Sequence, residues 1–255
     1  LDLSSSPSKT KSVCLSTVLS NLEFLKKYEV ISFLRVYASY TNYSIKLEEV
    51  NYDVLPNPNL SNETQKFSEV GTTVSLFSNR LRIDASYYKN VNSDMSTIVS
   101  ISPASGYNYK QVNIGEIVNK GVEASISGSP IKSHNIEWFV SLNIATLKNN
   151  VSSLAEGIDA VELASGPFGQ SKLVAYAGSS YPMIYGTDYV YDSKGNRLVS
   201  ADGHQYIQSG YKPLAKVTPD LNAGFSSVIT FKNFSFSFLV DMQKGGHMYY
   251  TSNML

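Results

Sequence analysis

Much of what soluble folds and enzymes rely on is scarce in this sequence. Cysteine occurs once, as Cys14, so an internal disulfide is excluded and no Cys/His spacing suggests zinc. A lone Cys of this kind is read as a small hydrophobe. Histidine occurs three times, as His134, His204 and His247, each expected on the surface. No Gly-x-Ser-x-Gly elbow and no phosphate-binding glycine loop is found. Charged residues make up 16% of the chain, against a typical ~25%. The 21 basic and 21 acidic residues balance, which gives none of the clustered basic excess that nucleic acid requires. No run reaches the ~20 apolar residues of a transmembrane helix. The segment Val13–Leu22 follows two lysines but is too polar for a signal peptide and lacks a small-residue cleavage site; it is expected to be a strand.

What the chain does have is tyrosine (18) and phenylalanine (11) in a background rich in Ser, Asn and Thr, arranged with a period of two. In Leu81–Tyr88, Leu81, Ile83, Ala85 and Tyr87 alternate with Arg82, Asp84, Ser86 and Tyr88. Successive strand residues point to opposite faces, so one face is apolar and the other polar. The pattern returns in Leu34–Thr41, Val122–Ser127, Ile136–Thr146 and Phe234–Asp241.

Three connections between alternating runs are very short: Asn79-Arg80, Ser133-His134-Asn135 and Lys232-Asn233. Each predicts a tight hairpin. Between them lie long polar connections near 44–63, 89–113 and 149–220. Phe77, Trp138, Phe231 and Phe234 flank the short turns, where an interfacial aromatic girdle would sit. The runs Gln65–Ser78, Leu81–Met95, Gly115–Ser129 and Ile136–Lys148 match or exceed the ~9–11 residues that cross a membrane at a tilt. Short turns at one end and long loops at the other are the pattern of an outer-membrane barrel. A soluble extracellular β-sandwich for glycan binding or adhesion is the alternative, in which the same alternation would face a core.

Three groups of residues carry a family resemblance. The first is Leu19-Ser20-Asn21, Phe24-Leu25 and Phe33-Leu34-Arg35 through Ala38-Ser39-Tyr40. The second is Asn57-Pro58-Asn59-Leu60, Glu63-Thr64, Glu69-Val70-Gly71, Asn79-Arg80-Leu81 and Tyr87-Tyr88. The third, and most telling, is Gly106-Tyr107 followed by Val112-Asn113-Ile114-Gly115-Glu116-Ile117-Val118-Asn119-Lys120-Gly121-Val122-Glu123. Together they resemble the SusC/RagA family of TonB-linked outer-membrane transporters, over about residues 12–250. The usual Gly after Tyr40 is missing. Gly115 and Gly121 are expected to turn into and start a barrel strand.

The resemblance implies an all-β fold: an antiparallel transmembrane β-barrel segment, part of a larger barrel of about 22 strands. With about nine to eleven strands of its own, residues 1–255 are expected to be an internal stretch of a longer barrel, the plug lying outside it. The implied function is nutrient import, of oligosaccharides or peptides, in the outer membrane of a Gram-negative, Bacteroidetes-like cell. The implied partners are a SusD-like surface lipoprotein, TonB acting through the N-terminal plug region, outer-membrane lipid and the cargo. Neither cofactor, metal nor catalytic residue is implied.

Enzymatic readings find little support in the residues. Glu116, Glu123, Asp188, Asp192 and Asp202 could supply a glycosidase-like carboxylate pair, the basis of a weaker hydrolase reading, but lumen-facing charge explains them more simply. Asp192-Ser193-Lys194-Gly195-Asn196 lacks the ligand spacing of a calcium loop and is read as a turn. Candidate loop contacts to cargo or lid are Tyr107, Tyr109, Tyr181, Tyr185 and Tyr189, because a phenol offers a flat apolar face and a hydroxyl to sugar rings or peptides. The plainer reading is that these tyrosines stiffen β-rich loops.

Overall fold

The computed structural model describes residues 9–46, 53–154, 158–166 and 171–250. Within them the period-two runs become long antiparallel strands: β1 (Lys9–Val18), β2 (Ile31–Ile45), β4 (Glu63–Leu76), β5 (Leu81–Ser100), β6 (Tyr109–Lys132), β7 (Ile136–Thr146), β13 (Pro219–Phe231) and β14 (Phe234–Gly245). Neighbours in space follow in the order β1-β2-β4-β5-β6-β7-β13-β14. Two short strands, β3 (Val54–Leu55) and β8 (Lys148–Ser153), also pair with β6 and complete a ten-stranded sheet.

The turns close tightly at one end. Ser133–Asn135 and Lys232-Asn233 are the hairpin loops expected, with Lys232 at φ 53°. The third turn is longer than expected. Strand β4 stops at Leu76, and Phe77, Ser78 and Asn79 all adopt positive φ before β5 begins. A four-residue turn closed by Arg80 N–H donating to the Phe77 carbonyl replaces the two-residue one. The N-terminal run also ends early, at Val18; Leu19–Asn21 form a 3-10 turn and Glu23–Lys26 a single α-turn, α1. Leu22 N–H donates to the Leu19 carbonyl and Lys26 N–H to that of Leu22, so local bonds win over continued pairing there.

At the other end the strands outrun the sequence reading. The stretch 89–113, expected as a loop, is mostly strand, because β5 reaches Ser100 and β6 starts at Tyr109. An apolar cluster at the far ends of β5, β6 and β8 supports this extension: Ile114, Ile117, Val151, Val161 and Ala175 are buried together, with Met95, Val99, Val112 and Tyr181 packed around them. Val161 and Ala175 belong to a second sheet in the expected loop 149–220. It comprises β9 (Ala160–Ser165), β10 (Ser171–Tyr176), β11 (Met183–Gly186) and β12 (Lys212–Lys216), in the order β12-β11-β10-β9. Parts of the expected loops near 44–63 and 149–220 lie outside the described residues.

The third motif group has a local physical account. Gly115 sits at φ +113° opposite Met95, where a bulge with Asp94 at φ 56° shifts the β5–β6 register; a β-carbon there would be strained. Gly121 marks a jog where β6 exchanges β7 for β8. There Val122 N–H donates to Thr146 Oγ1 (3.0 Å) and the same hydroxyl donates to the Val122 carbonyl (3.3 Å). A β-carbon on Gly121 would collide with the Thr146 carbonyl oxygen and with the Tyr88 ring. Asn113 holds the 57–61 loop down: Ser61 N–H donates to its Oδ1 (2.8 Å), and its Nδ2 donates to the carbonyls of Ser61 (3.0 Å) and Asp94 (2.7 Å).

Candidate functional site

Register decides what each face of the main sheet presents, because residues directly opposite share a face. One face carries Val13 and Leu15, then Leu34, Val36 and Ala38, Val70 and Val74, Ile83 and Ala85, Val122, Ala124 and Ile126, Val140, Leu142 and Ile144, and the Phe residues of β13 and β14. From the short turns to the level of Tyr87 and Val122 this face bears no charged side chain among the described residues. No other element among them covers it: Val70 remains 56% exposed, Val122 47% and Phe236 64%. A soluble sandwich would lay a second sheet over such a face. The sheet β9–β12 instead packs on the far ends of β5, β6 and β8. The sandwich alternative therefore lacks its core. Trp138 sits on this face near the short turns, and its indole N–H is satisfied by Ser227 Oγ at 2.9 Å.

The opposite face is concave and polar. It encloses a hollow of about 940 Å³ lined by Arg35, Tyr37, Thr73, Asp84, Glu123 and Asp241 among others. Tyr37 lies over Gly71 and donates to Glu69 Oε1 at 2.9 Å, while the Arg35 guanidinium sits 5.2 Å from the Tyr37 ring centre. Asp84 accepts from Arg82 Nε (2.7 Å) and from Thr73 Oγ1 (2.8 Å). The Arg35 Nε is enclosed without a partner. The result is a polar wall of mixed charge. The alternating polar residues were the signal for it, but only pairing shows that they share one hollow.

The five candidate tyrosines do not form one cluster. Tyr107 and Tyr109 stand at the β5–β6 tip, with Tyr109 43% exposed. Tyr181 is half-buried against the apolar cluster; its N–H donates to Asn149 Oδ1 and its carbonyl accepts from Asn149 Nδ2. Tyr185 lies on β11, its ring 6.0 Å from that of Tyr176. Tyr189 lies beyond it, bridged to Ile207 and covered by the Arg197 guanidinium at 4.5 Å. Exposed Tyr191, Tyr206 and Ile207 extend this apolar rim.

The candidate carboxylates are dispersed, not paired. Glu123 lines the hollow, and Glu116 accepts from Ser93 Oγ at 3.1 Å. Asp188 accepts from Lys212 at 2.9 Å, and this bond holds its carboxyl below the usual carboxylate range. Asp192 closes its own turn, taking the N–H groups of Lys194 and Asn196 at 2.8 Å each. Its oxygens are thus used by donors, as the turn reading expects, and no group of three metal-ligating side chains comes together among the described residues.

Comparison with known proteins agrees with this geometry. The family profile described as TonB dependent receptor-like, beta-barrel, matches residues 21–241. The chain is 29% identical over 225 residues to TonB-dependent receptor P3 of Formosa agariphila, covering 79% of this chain and 22% of that protein. It is 28% identical over 209 residues to TonB-dependent receptor SusC of Bacteroides thetaiotaomicron, covering 76% and 20%. It thus spans about one-fifth of the length of these relatives. Among solved structures, the RagAB peptide importer in its closed-closed state superposes with a TM-score of 0.72 at 21% identity, over 93% of this chain and 29% of that one. The uncovered apolar face, the polar hollow behind it and the matched profile lead to one assignment: the chain belongs to the TonB-dependent receptor-like β-barrel family.

Proposed function

We propose that the chain is a stretch of barrel wall and outer loops in a TonB-dependent outer-membrane importer. The observation that carries this reading is the charge-free, uncovered apolar face backed by a polar hollow. Lipid satisfies the first and water the second, and a barrel wall needs both. In this reading the short turns face the periplasm, and the segments near 44–63, 89–113 and 149–220 belong to the outside. The cargo is an oligosaccharide or a peptide, received together with a SusD-like surface lipoprotein and released by TonB acting on a plug. No covalent change is made to it. Relatives named SusC and RagAB support the reading without fixing the cargo.

The reading is tested in the source cells with substitutions in the native gene. Deleting the gene should abolish energy-dependent uptake of a labelled oligosaccharide or peptide. Uptake unchanged across panels of both would sink the importer role. Among the loop tyrosines, alanine at Tyr109 or Tyr189, or at Tyr107 or Tyr185, should lower uptake at limiting cargo about tenfold where the ring is a hot-spot contact to cargo. Tyr181 is tested as phenylalanine, since alanine would also open the apolar cluster. Uptake and lid binding unchanged in all of them would leave these tyrosines a purely structural role.

A further inference from the structure

The apolar face ends on a row of lysines. Counting outward from the short turns, the first outward-facing residue beyond the apolar run is Lys11 on β1, Lys89 on β5, Lys120 on β6 and Lys244 on β14. On β8, which continues β7, it is Lys148, and on β4 Lys66 follows Ser68. Lys89 stands directly opposite Lys120, and Lys120 directly opposite Lys148. Directly opposed like charges are unfavourable in a sheet. No side chain among the described residues relieves them. All six lysines are exposed, and none makes an ion pair, a side-chain hydrogen bond or a ring contact among the described residues. Four lysines outside the row, Lys132, Lys172, Lys212 and Lys216, each hold a carboxylate. The first acid on the apolar face, Glu116, lies two outward positions past Lys120 and is engaged by Ser93.

The row also falls at a meaningful height. From Leu81 to Lys89 the strand runs about 27 Å at ~3.4 Å per residue. At a barrel tilt of roughly 40° this is about 20 Å of height, close to the ~25 Å of an outer-membrane apolar band. Lysines there reach the headgroup layer with their stems still on hydrocarbon.

The geometry points to a lipid-binding surface: Lys89, Lys120 and Lys148, on three adjacent strands, hold the phosphate groups of lipids in the leaflet on the long-connection side. The inference rests on the membrane reading above. External phosphate supplies negative charge opposite the lysines, and three ammonium groups side by side match a headgroup of net negative charge better than a zwitterionic one.

The test uses the protein extracted from its native membrane in detergent, with the Lys89→Gln, Lys120→Gln, Lys148→Gln triple variant beside it. Bound lipid phosphorus is measured, and stripped protein is titrated with micelles containing phosphatidic acid or only phosphatidylcholine. The wild type should retain phosphorylated lipid and prefer phosphatidic acid. The triple variant should bind it about 100-fold more weakly, from roughly fivefold per lysine. If the triple variant fails to assemble, Lys120→Gln alone, at the centre of the row, should show the roughly fivefold loss, and the triple arginine variant should keep binding. Equal retention by wild type and glutamine variants would overturn the inference. So would inorganic phosphate binding as tightly in phospholipid-free detergent, since a free anion would then suffice. A native protein found outside the membrane would instead remove the reading on which the inference rests.

Discussion

Arginine at position 124 should prevent normal assembly, whereas arginine at position 125 should leave it close to wild type. Ala124 and Ser125 are chain neighbours on β6, so composition and local propensity barely separate the two variants. Their faces do. Ala124 stands between Ala85 on β5 and Ile144 on β7, inside the charge-free band. A guanidinium there lies near the middle of the hydrocarbon and costs about 2–4 kcal/mol, with no carboxylate within the band to offset it among the described residues. Ser125 stands between Asp84 and Asn143 on the polar face. A guanidinium there gains a carboxylate neighbour and water. Denaturant unfolding in lipid vesicles, with heat-sensitive gel mobility as the fold check, measures the difference. Equal losses for both variants would mean that the two faces do not see different solvents.

Valine at position 121 should be at least as damaging. A β-carbon there meets a backbone oxygen, at Thr146, and not merely the end of a flexible side chain, and it also meets the Tyr88 ring. Relief requires moving β7 or β8 away from β6, which would break the pair of bonds between Thr146 Oγ1 and Val122. Overpacking of this kind costs ~1–3 kcal/mol even where side chains can give way, and the backbone jog leaves less room. Loss of folded protein from the membrane fraction should exceed that of Val122→Ala, which only trims an exposed side chain. The same measurements apply, and wild-type stability for Gly121→Val would refute the close approach.

How much of this was legible beforehand follows from the range of the forces involved. The strands β7 and β14 and the first part of β5 could be read directly, since period two is a local property, even though Phe139 and Leu239 interrupt the polar faces of β7 and β14. The two turns at Ser133–Asn135 and Lys232-Asn233 were legible for the same reason. Phe77 and Ser78 were read as the end of the run Gln65–Ser78, whereas their backbone has already left the sheet at positive φ. The far end of β5, from Ser96 to Ser100, was hidden because it falls in the stretch 89–113 read as a loop. It is strand because β6 pairs with it and the buried cluster around Ile114 and Ile117 fixes that extension. No local pattern announces such long-range support. The same holds for the hollow: Arg35, Glu123 and Asp241 come from strands far apart in sequence, and only the order of the sheet makes them neighbours. The tyrosines were visible as composition, but their separation into a β5–β6 tip and a second sheet was not. Asn113 carries a role that no propensity reveals, since its amide joins a distant loop to a bulge.

The central claim is that alternate residues of one strand face lipid and water. Spin labels placed singly at positions 81–88, in a Cys14→Ser background, test it directly by comparing accessibility to oxygen, which partitions into lipid, and to a polar nickel chelate. Labels at 81, 83, 85 and 87 should favour oxygen, those at 82, 84, 86 and 88 the chelate, with the two profiles oscillating out of phase at a period of two. Profiles that rise and fall together, or odd positions open to the chelate, would contradict the account.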